Sequence, residues 1–480
     1  MREFCEKAVN LMRMRRASYG DVRMVRRRQQ HIETKNGAVE SVTYREDAGF
    51  GVRVLVDGAW GFAASNRATA DELSRVVASA IEVARSSGTV LDRRIELTPV
   101  RPAVDSYTSD CAKDPFEVPL GDKLNMLLRA DKTLRAEKAV TIAQCFLSAF
   151  ETEKTFASTE GALVVQKITE TGGGLAATAI KDGELQVRSY PNSFRGNFAT
   201  LGYEYVEAMD LPGSAARVAE EAARLIVAPQ CPSGRRTILL DGGQLALQVH
   251  ESIGHPIELD RVLGLEAGFA GTSFLKPGDI GKLRYGSDRV NVVADATERG
   301  GLGTFGYDDE GVPAQRTDII RDGVFRGFLT SRETAGAVGQ RSSGAMRASG
   351  WDAIPLIRMT NINLLPGERD FDELVADTAD GLYLATNRSW SIDDKRLNFQ
   401  FGCEIAWEIK NGKLGRVYKN PTYTGITCEF WGSCDAVTGQ KHWTMWGTPN
   451  CGKGEPSQTA HVGHGTAPAR FRNVEVGVMK

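Results

Sequence analysis

Asn-Gly and Asp-Gly pairs punctuate this chain at Asn36-Gly37, Asp57-Gly58, Asp241-Gly242, Asp322-Gly323 and Asn411-Gly412, and they bound what it can become. These residues tolerate the positive φ that a two-residue hairpin turn demands, so such pairs between alternating segments select antiparallel strands. Residues 22–25 and 39–44 read as strands around the first pair, and residues 51–56 and 59–63 as a hairpin across the second. Strand patterns resume at 140–150, continue through Gly-rich turns to Tyr190, and dominate from Arg235 onward.

Helices fill the gaps. The N-terminal MREFCEKAVNLMRMRR places Phe4, Ala8, Leu11 and Met12 on one side of an amphipathic helix. Thr69 to Glu72 form a capping box for a helix reaching Arg85, with Leu73, Val76, Val77, Ala80 and Ile81 at core spacing. Further helices are predicted over 120–137, 214–226, 243–254 and 370–379. The run Ala228-Pro229-Gln230-Cys231-Pro232-Ser233-Gly234 marks the boundary. A chain of 480 residues can bury more than one core. The expected fold class is α+β: a domain of antiparallel strands and helices over 1–228, and a mainly antiparallel β domain over 235–480.

Composition narrows the function classes. The net charge is −2 with both signs interspersed, so no global field favours nucleic acid or an anionic membrane. The basic runs 13–16 and 26–28 read as solvated faces or interface ion pairs. No apolar run reaches the length of a spanning helix, and charges break the N-terminus where a secretory signal would be apolar. The eight cysteines lack compact spacing and read as reduced and buried, which points to the cytoplasm. Thr171-Gly172-Gly173-Gly174 has no following Lys-Ser/Thr to hold phosphate, and Ser342-Ser343-Gly344 has no nucleophile elbow around it. Asp308-Asp309-Glu310-Gly311 lacks the alternating oxygens of a calcium loop and reads as a turn before a strand.

Chemistry concentrates in His250-Glu251-Ser252-Ile253-Gly254-His255. Two imidazoles are common zinc donors, and a carboxylate beside the first supplies a base for a metal-activated water. The spacing H-E-x-x-x-H is one residue too long for a regular helix, on which residues five apart diverge by about 140°. Gly254 is expected to end the helix and Pro256 to push His255 toward extended geometry, so that His255 reaches back from a helix exit or a local bulge. Glu251 lies too close to His250 to be an ideal co-ligand, and general base is its natural role. A third protein ligand is required, and Glu258, Asp260, His442, Cys451, His461 and His464 are the candidates that position alone leaves open. Glu258, Asp260 and Arg261 follow His255 closely and are expected to orient an imidazole or close an ion pair around the site. His461 and His464 lie in a Gly-rich stretch that reads as a solvated tail.

The run HESIGHPIELDR, from His250 to Arg261, resembles the signature of the TldD/PmbA family of zinc metallopeptidases. The resemblance extends through GFGVRVLVDGAWGFA, GTFGYDDEGVPAQ, IRDGVFRGFLTSRETAG, PLIRMTN and CGKGEP, in order over most of the chain. It implies a Zn2+ ion on His250, His255 and Cys451, the last through the match of Cys451-Gly452-Lys453-Gly454 to a C-terminal motif of the family. Because the chain keeps H-E-x-x-x-H, it resembles the catalytic, TldD-like member, with Glu251 as the base. The implied activity is hydrolysis of unfolded or linear peptides, for leader removal or degradation. The implied assembly is a homodimer or a heterodimer with a PmbA-like paralogue. The competing class is a non-catalytic regulatory or binding subunit of such a complex. An older family name, modulators of DNA gyrase, finds no DNA-reading element in this sequence, and neither nucleic acid nor membrane is expected as a partner.

Overall fold

The structure is a computed structural model, and it describes residues 1–91, 93–193 and 196–477. Its first half is organised by one eight-stranded sheet, in the order Ala59–Ser65, Ala38–Val56, Tyr19–Lys35, Val140–Ser158, Leu163–Lys181, Val104–Thr108. Glu184–Tyr190 and Asn197–Ala199 both pair with Leu163–Lys181. All of these pairings are antiparallel except that of Val104–Thr108. Asn36 and Gly37 take φ of 50° and 84°, and Asp57 and Gly58 take 53° and 82°, so both pairs turn hairpins as the sequence predicts.

The strands are far longer than the apolar pattern suggests. Tyr19–Lys35 and Ala38–Val56 run without a break where only short segments were expected. The reason lies in the two faces that alternate along every strand. Val22, Ile32, Leu147 and Ala157 point to one face, which helices cover. Arg2–Met14 and Ala70–Gly88 pack at one end of it, and Leu120–Leu134 with Leu211–Ile226 at the other. The opposite face carries Asp21, Arg23, Lys154 and Phe156, and it abuts the second half of the chain. Charged residues occupy that buried face because they find partners across it. Arg53 bridges Asp21 at 2.7 Å and Glu310 at 3.3 Å, and Asp309 pairs with Lys154 at 2.5 Å. The turn 308–311 is therefore an internal ion-pair hub rather than a surface turn.

The second half centres on a seven-stranded sheet. Asp380–Ile392, Gly234–Leu240, Ala469–Val476, Thr422–Ile426 and Asn398–Lys410 pair in that order, and the last pairs back with the first, closing a ring of five strands. One of these contacts, Gly234–Leu240 with Asp380–Ile392, is parallel and the others are antiparallel. The fold is thus α+β with mostly antiparallel strands, as expected. Asp241-Gly242 departs from the predicted punctuation: it turns no hairpin. Asp241 caps the helix Gly242–Val249, its Oδ1 accepting from Gln244 N at 2.8 Å, so the chain passes directly from a strand of the ring into the helix that carries the first histidine.

A buried arginine fastens the two halves. Arg188, on Glu184–Tyr190, donates to Glu221 at 2.7 Å and to Glu404 of Asn398–Lys410 at 2.8 Å. Glu404 also accepts from Ser189 N and Oγ. Arg188→Met strands the Glu404 carboxylate away from water, and removing one partner of a buried pair costs about 3–5 kcal/mol. We expect that loss in denaturant unfolding, with most of it recovered in Arg188→Met/Glu404→Met, where the buried Glu404 carboxylate is gone and Glu221 keeps its pairing with Arg217.

Candidate metal centre

The helix Gly242–Val249 passes without interruption into a π-turn, His250–Gly254. His255 N donates to the His250 carbonyl at 3.1 Å, an i→i+5 bond that admits one extra residue into the turn. That residue removes the angular mismatch of the H-E-x-x-x-H spacing, and the two rings stand with centroids 4.9 Å apart. The expected helix exit is not used. His255 keeps helical angles (φ −68°, ψ −43°) despite Pro256, and the π-turn, whose last residue is Gly254, is the local bulge that was the alternative to an exit. Gly254 serves close approach instead: a Cβ there would lie 2.1 Å from Met359 Sδ. Proline at 256 has no N–H, and the Ser252 carbonyl takes the Tyr285 hydroxyl as its donor. Ser252 Oγ donates to Gln248 O at 2.6 Å and accepts from Gln248 Nε2 and Trp431 Nε1. Tyr423 in turn joins Gln248 to Gln244. The turn is held by side-chain partners buried in the apolar core of this half.

Cys451 arrives from the hairpin Thr444–Lys453/Gln458–Thr466. Its Sγ lies 3.7 Å from His255 Nε2, and one ligand atom each from His250, His255 and Cys451 falls within 4.8 Å of the others. This is the only such group found among the described residues, and all three members are buried. Cys451 is also set apart from its kin by acidity. Burial pushes the Cys5, Cys231 and Cys434 thiols up to about 12. At Cys451 burial acts in the same direction, but His255 and Arg358 outweigh it and the thiol lies below its ordinary value. Burial holds His255 well below the usual imidazole range. A thiol held below its ordinary value is readier to bind a metal as thiolate.

Each imidazole is gripped through Nδ1. His255 Nδ1 meets Glu258 Oε2 at 3.0 Å. Glu258 lies in a fully buried cluster in which Lys453 Nζ reaches Asp260 at 2.7 Å, Glu258 at 3.4 Å and Glu266 at 3.8 Å. Burial raises Glu266 to about 7. Arg261 pairs with Glu266 at 2.9 Å, so Glu258, Asp260 and Arg261 support the centre without joining the donor group. His250 Nδ1 meets His464 Nε2 at 2.7 Å, while His464 Nδ1 faces the Ile362 carbonyl at 3.3 Å. The solvated-tail reading is overturned: His464 and His461 lie on Gln458–Thr466, and His464 is fully buried. His461 pairs with Glu170 at 2.8 Å and His442 with Asp370 at 3.2 Å, both outside the donor group.

Glu251 faces the same cavity, of about 270 Å³, which Trp390, Trp446, Asn387, Asn450 and Arg396 also line. The Arg396 guanidinium pairs with the Glu251 carboxylate. Arg396, Tyr285, Trp431 and Lys453 were missed as site residues by sequence reasoning. Only Lys453 left a signal, by following Cys451 within Cys451-Gly452-Lys453-Gly454. The donor set of two imidazoles and one thiolate, with both rings oriented from behind, suits a tetrahedral N/S-binding ion that keeps one position for water or substrate. Tyr285→Phe leaves the Ser252 carbonyl buried without its donor. We expect about 1–3 kcal/mol of destabilisation and weaker retention of divalent metal in chelator competition.

Three family models match the chain: PmbA/TldA metallopeptidase domain 1 over residues 20–84, the central domain over 113–228 and the C-terminal domain over 233–477. The chain is 31% identical over 420 residues to a metalloprotease of Methanocaldococcus jannaschii, covering 88% of this chain and 89% of the relative. A zinc metalloprotease TldD homolog of Saccharolobus solfataricus is 21% identical over 91% of each chain. Among solved structures, a Thermotoga maritima protein described as a candidate modulator of a DNA gyrase matches with a TM-score of 0.78 over 99% of both chains, at 18% identity, a likeness of fold. No described helix is long and apolar enough to cross a membrane.

Proposed function

The chain belongs to the PmbA/TldD metallopeptidase family, and from that premise we propose that it is a zinc peptidase acting on unfolded or linear peptides, with Glu251 as general base. The observation that carries this reading is the buried His250, His255 and Cys451 group with a carboxylate beside it in one cavity. Nε2 of each histidine and the Cys451 thiolate would hold the ion, since both Nδ1 atoms are engaged behind them. Zinc, when bound there, supplies Lewis acidity toward water and the scissile carbonyl. Glu251 accepts a proton from the attacking water as its oxygen bonds to the carbonyl carbon and the π pair moves onto the carbonyl oxygen. As the C–N bond breaks, the same carboxyl returns that proton to the departing nitrogen.

The substrate class is supported by the hairpin that carries Cys451. Thr444–Lys453 pairs only with Gln458–Thr466 among the described strands, and Thr448, Asn450, Cys451 and Gly452 line the cavity. Asn197 occupies that edge at Met445 and Gly447 and Arg358 takes the Cys451 carbonyl, so an extended peptide can add between them, beside Thr448 to Asn450, through main-chain hydrogen bonds that are blind to side-chain type. A folded protein has its backbone already paired and offers none.

Three measurements test the reading. Replacing His250, His255 or Cys451 by Ala is expected to lose most bound zinc while the chain stays folded, read by metal analysis and circular dichroism. Near-stoichiometric zinc in Cys451→Ala would strike Cys451 from the ligands. Glu251→Gln is expected to keep zinc and lower peptide hydrolysis by about 10²–10⁴-fold. On substrate choice, one protein is compared before and after it is made unable to fold. Cleavage of the unfolded form alone is expected, and equal cleavage of both would remove the edge-binding reading.

A further inference from the structure

Arg396 sits at the tip of the hairpin between Asp380–Ile392 and Asn398–Lys410, and the tip is built to hold it. Its φ is +63°, in the left-handed region that an arginine enters only at a cost. Four consecutive carbonyls of the tip accept tertiary donors: Asp394 from Arg261 Nη1 at 3.1 Å, Lys395 from Phe274 N at 2.9 Å, Arg396 from Thr427 Oγ1 at 2.8 Å, and Leu397 from Thr427 N at 2.8 Å. Within the tip, Asp393 takes Leu397 N at 2.7 Å and Asn398 Nδ2 at 2.6 Å. A short hairpin tip commonly uses one left-handed residue to reverse the chain, but that need is met at least cost by glycine or asparagine and calls for none of these four tertiary donors.

The bracing delivers a guanidinium into the site. Nη1 of Arg396 pairs with Glu251, while its Nε is buried with no hydrogen-bond partner among the described residues. A buried N–H without an acceptor is expensive, and the residue that carries it lines the cavity shared by the base and the donor group. The acceptor that arrives in this cavity during the proposed reaction is the scissile carbonyl oxygen.

We infer that Arg396 is a catalytic residue: it keeps Glu251 in place through one nitrogen and donates through another to the scissile carbonyl oxygen as that oxygen becomes an oxyanion. The inference rests on the peptidase reading above. In the step it serves, the water oxygen bonds to the carbonyl carbon, the π pair moves to the oxygen facing Arg396, and Glu251 takes the proton. When the tetrahedral centre collapses, the C–N bond breaks, the proton goes to nitrogen, and the Arg396 hydrogen bond weakens with the charge. A donor fixed in advance toward developing charge stabilises the transition state more than the bound peptide.

The test separates oxyanion binding from service to Glu251 alone by measuring binding in a protein that lacks the carboxylate. Zinc-loaded Glu251→Gln and Glu251→Gln/Arg396→Gln are titrated with a phosphinic pseudopeptide bearing alanine on both sides of the phosphinate, and with a linear peptide cleaved by the wild type. Loss of about 10²-fold in phosphinate affinity on removing Arg396 is expected, by the usual worth of one oxyanion donor, with the linear peptide changed by less than threefold and zinc content unaltered. In the Glu251-containing protein, Arg396→Gln is expected to lower kcat with little change in KM, and Arg396→Lys to fall between the two. Equal phosphinate affinity with and without Arg396 would overturn the inference and reduce the residue to a holder of Glu251. A parallel loss of linear-peptide affinity or of zinc would also overturn it, as ground-state binding or structure. Failure of the peptidase reading gives a different result: wild-type protein that takes up zinc but cleaves no peptide and binds no phosphinate.

Discussion

One backbone hydrogen bond, from His255 N to the His250 carbonyl, sets the geometry on which the rest of the centre depends. With an ordinary i→i+4 bond the second imidazole would turn away from the first by about 140°, and no adjustment of Cys451 could make up the difference. The π-turn is locally unfavourable, and the protein stabilises it by placing polar side chains inside an otherwise apolar core. Ser252, Gln248, Tyr423, Trp431 and Tyr285 are buried there because the irregular turn needs their hydrogen bonds. The same logic explains Gly254, where Met359 packs against the bare backbone.

The two imidazoles are supported by different chemistry. Behind His255 is a carboxylate, itself embedded with Asp260, Glu266, Lys453 and Arg261. Behind His250 is a neutral imidazole whose far nitrogen faces a backbone carbonyl. Burial holds His464 well below the usual imidazole range, so it adds no charge of its own. A carboxylate makes its histidine a stronger donor than an imidazole does. With Cys451 as a thiolate ligand, a neutral partner behind His250 would limit the negative charge around a bound ion and so would preserve the ion's acidity toward water.

Much of this was legible in the sequence, for reasons that can be named. Hairpin turns at Asn36-Gly37 and Asp57-Gly58 follow from backbone sterics, which are local. The amphipathic helices follow from periodicity, and Thr69 caps its helix through Glu72 N as its position suggests. The four residues proposed as base and ligands share one cavity. What escaped depended on contacts between distant segments. The full length of Tyr19–Lys35 was hidden because its charged face is buried against ion pairs contributed more than 250 residues later, as in Arg23 with Asp309. His464 reads as part of a solvated tail until strand pairing carries it beneath His250. Asp241-Gly242 has the letters of a hairpin turn, and Gln244 N, waiting for a cap, decides otherwise. Arg396 has no motif, because its meaning lies in four carbonyls that other elements hold.

Every group with chemistry to perform, from His250 to His464, comes from the chain beyond the first half. The strands of the large sheet contribute no donor to the centre; from before residue 200 come only Asn192, Ser193 and Gly196, at the cavity wall. Those three residues belong to a layer that holds no donor, whereas the rest of the wall, Asn387, Trp390, Trp446 and Asn450 among it, shares the half that carries the reactive groups. Changes at Asn192, Ser193 or Gly196 would alter what fits in the cavity without touching the donor group. A lineage with this architecture can inherit its chemistry intact while its choice of peptide drifts.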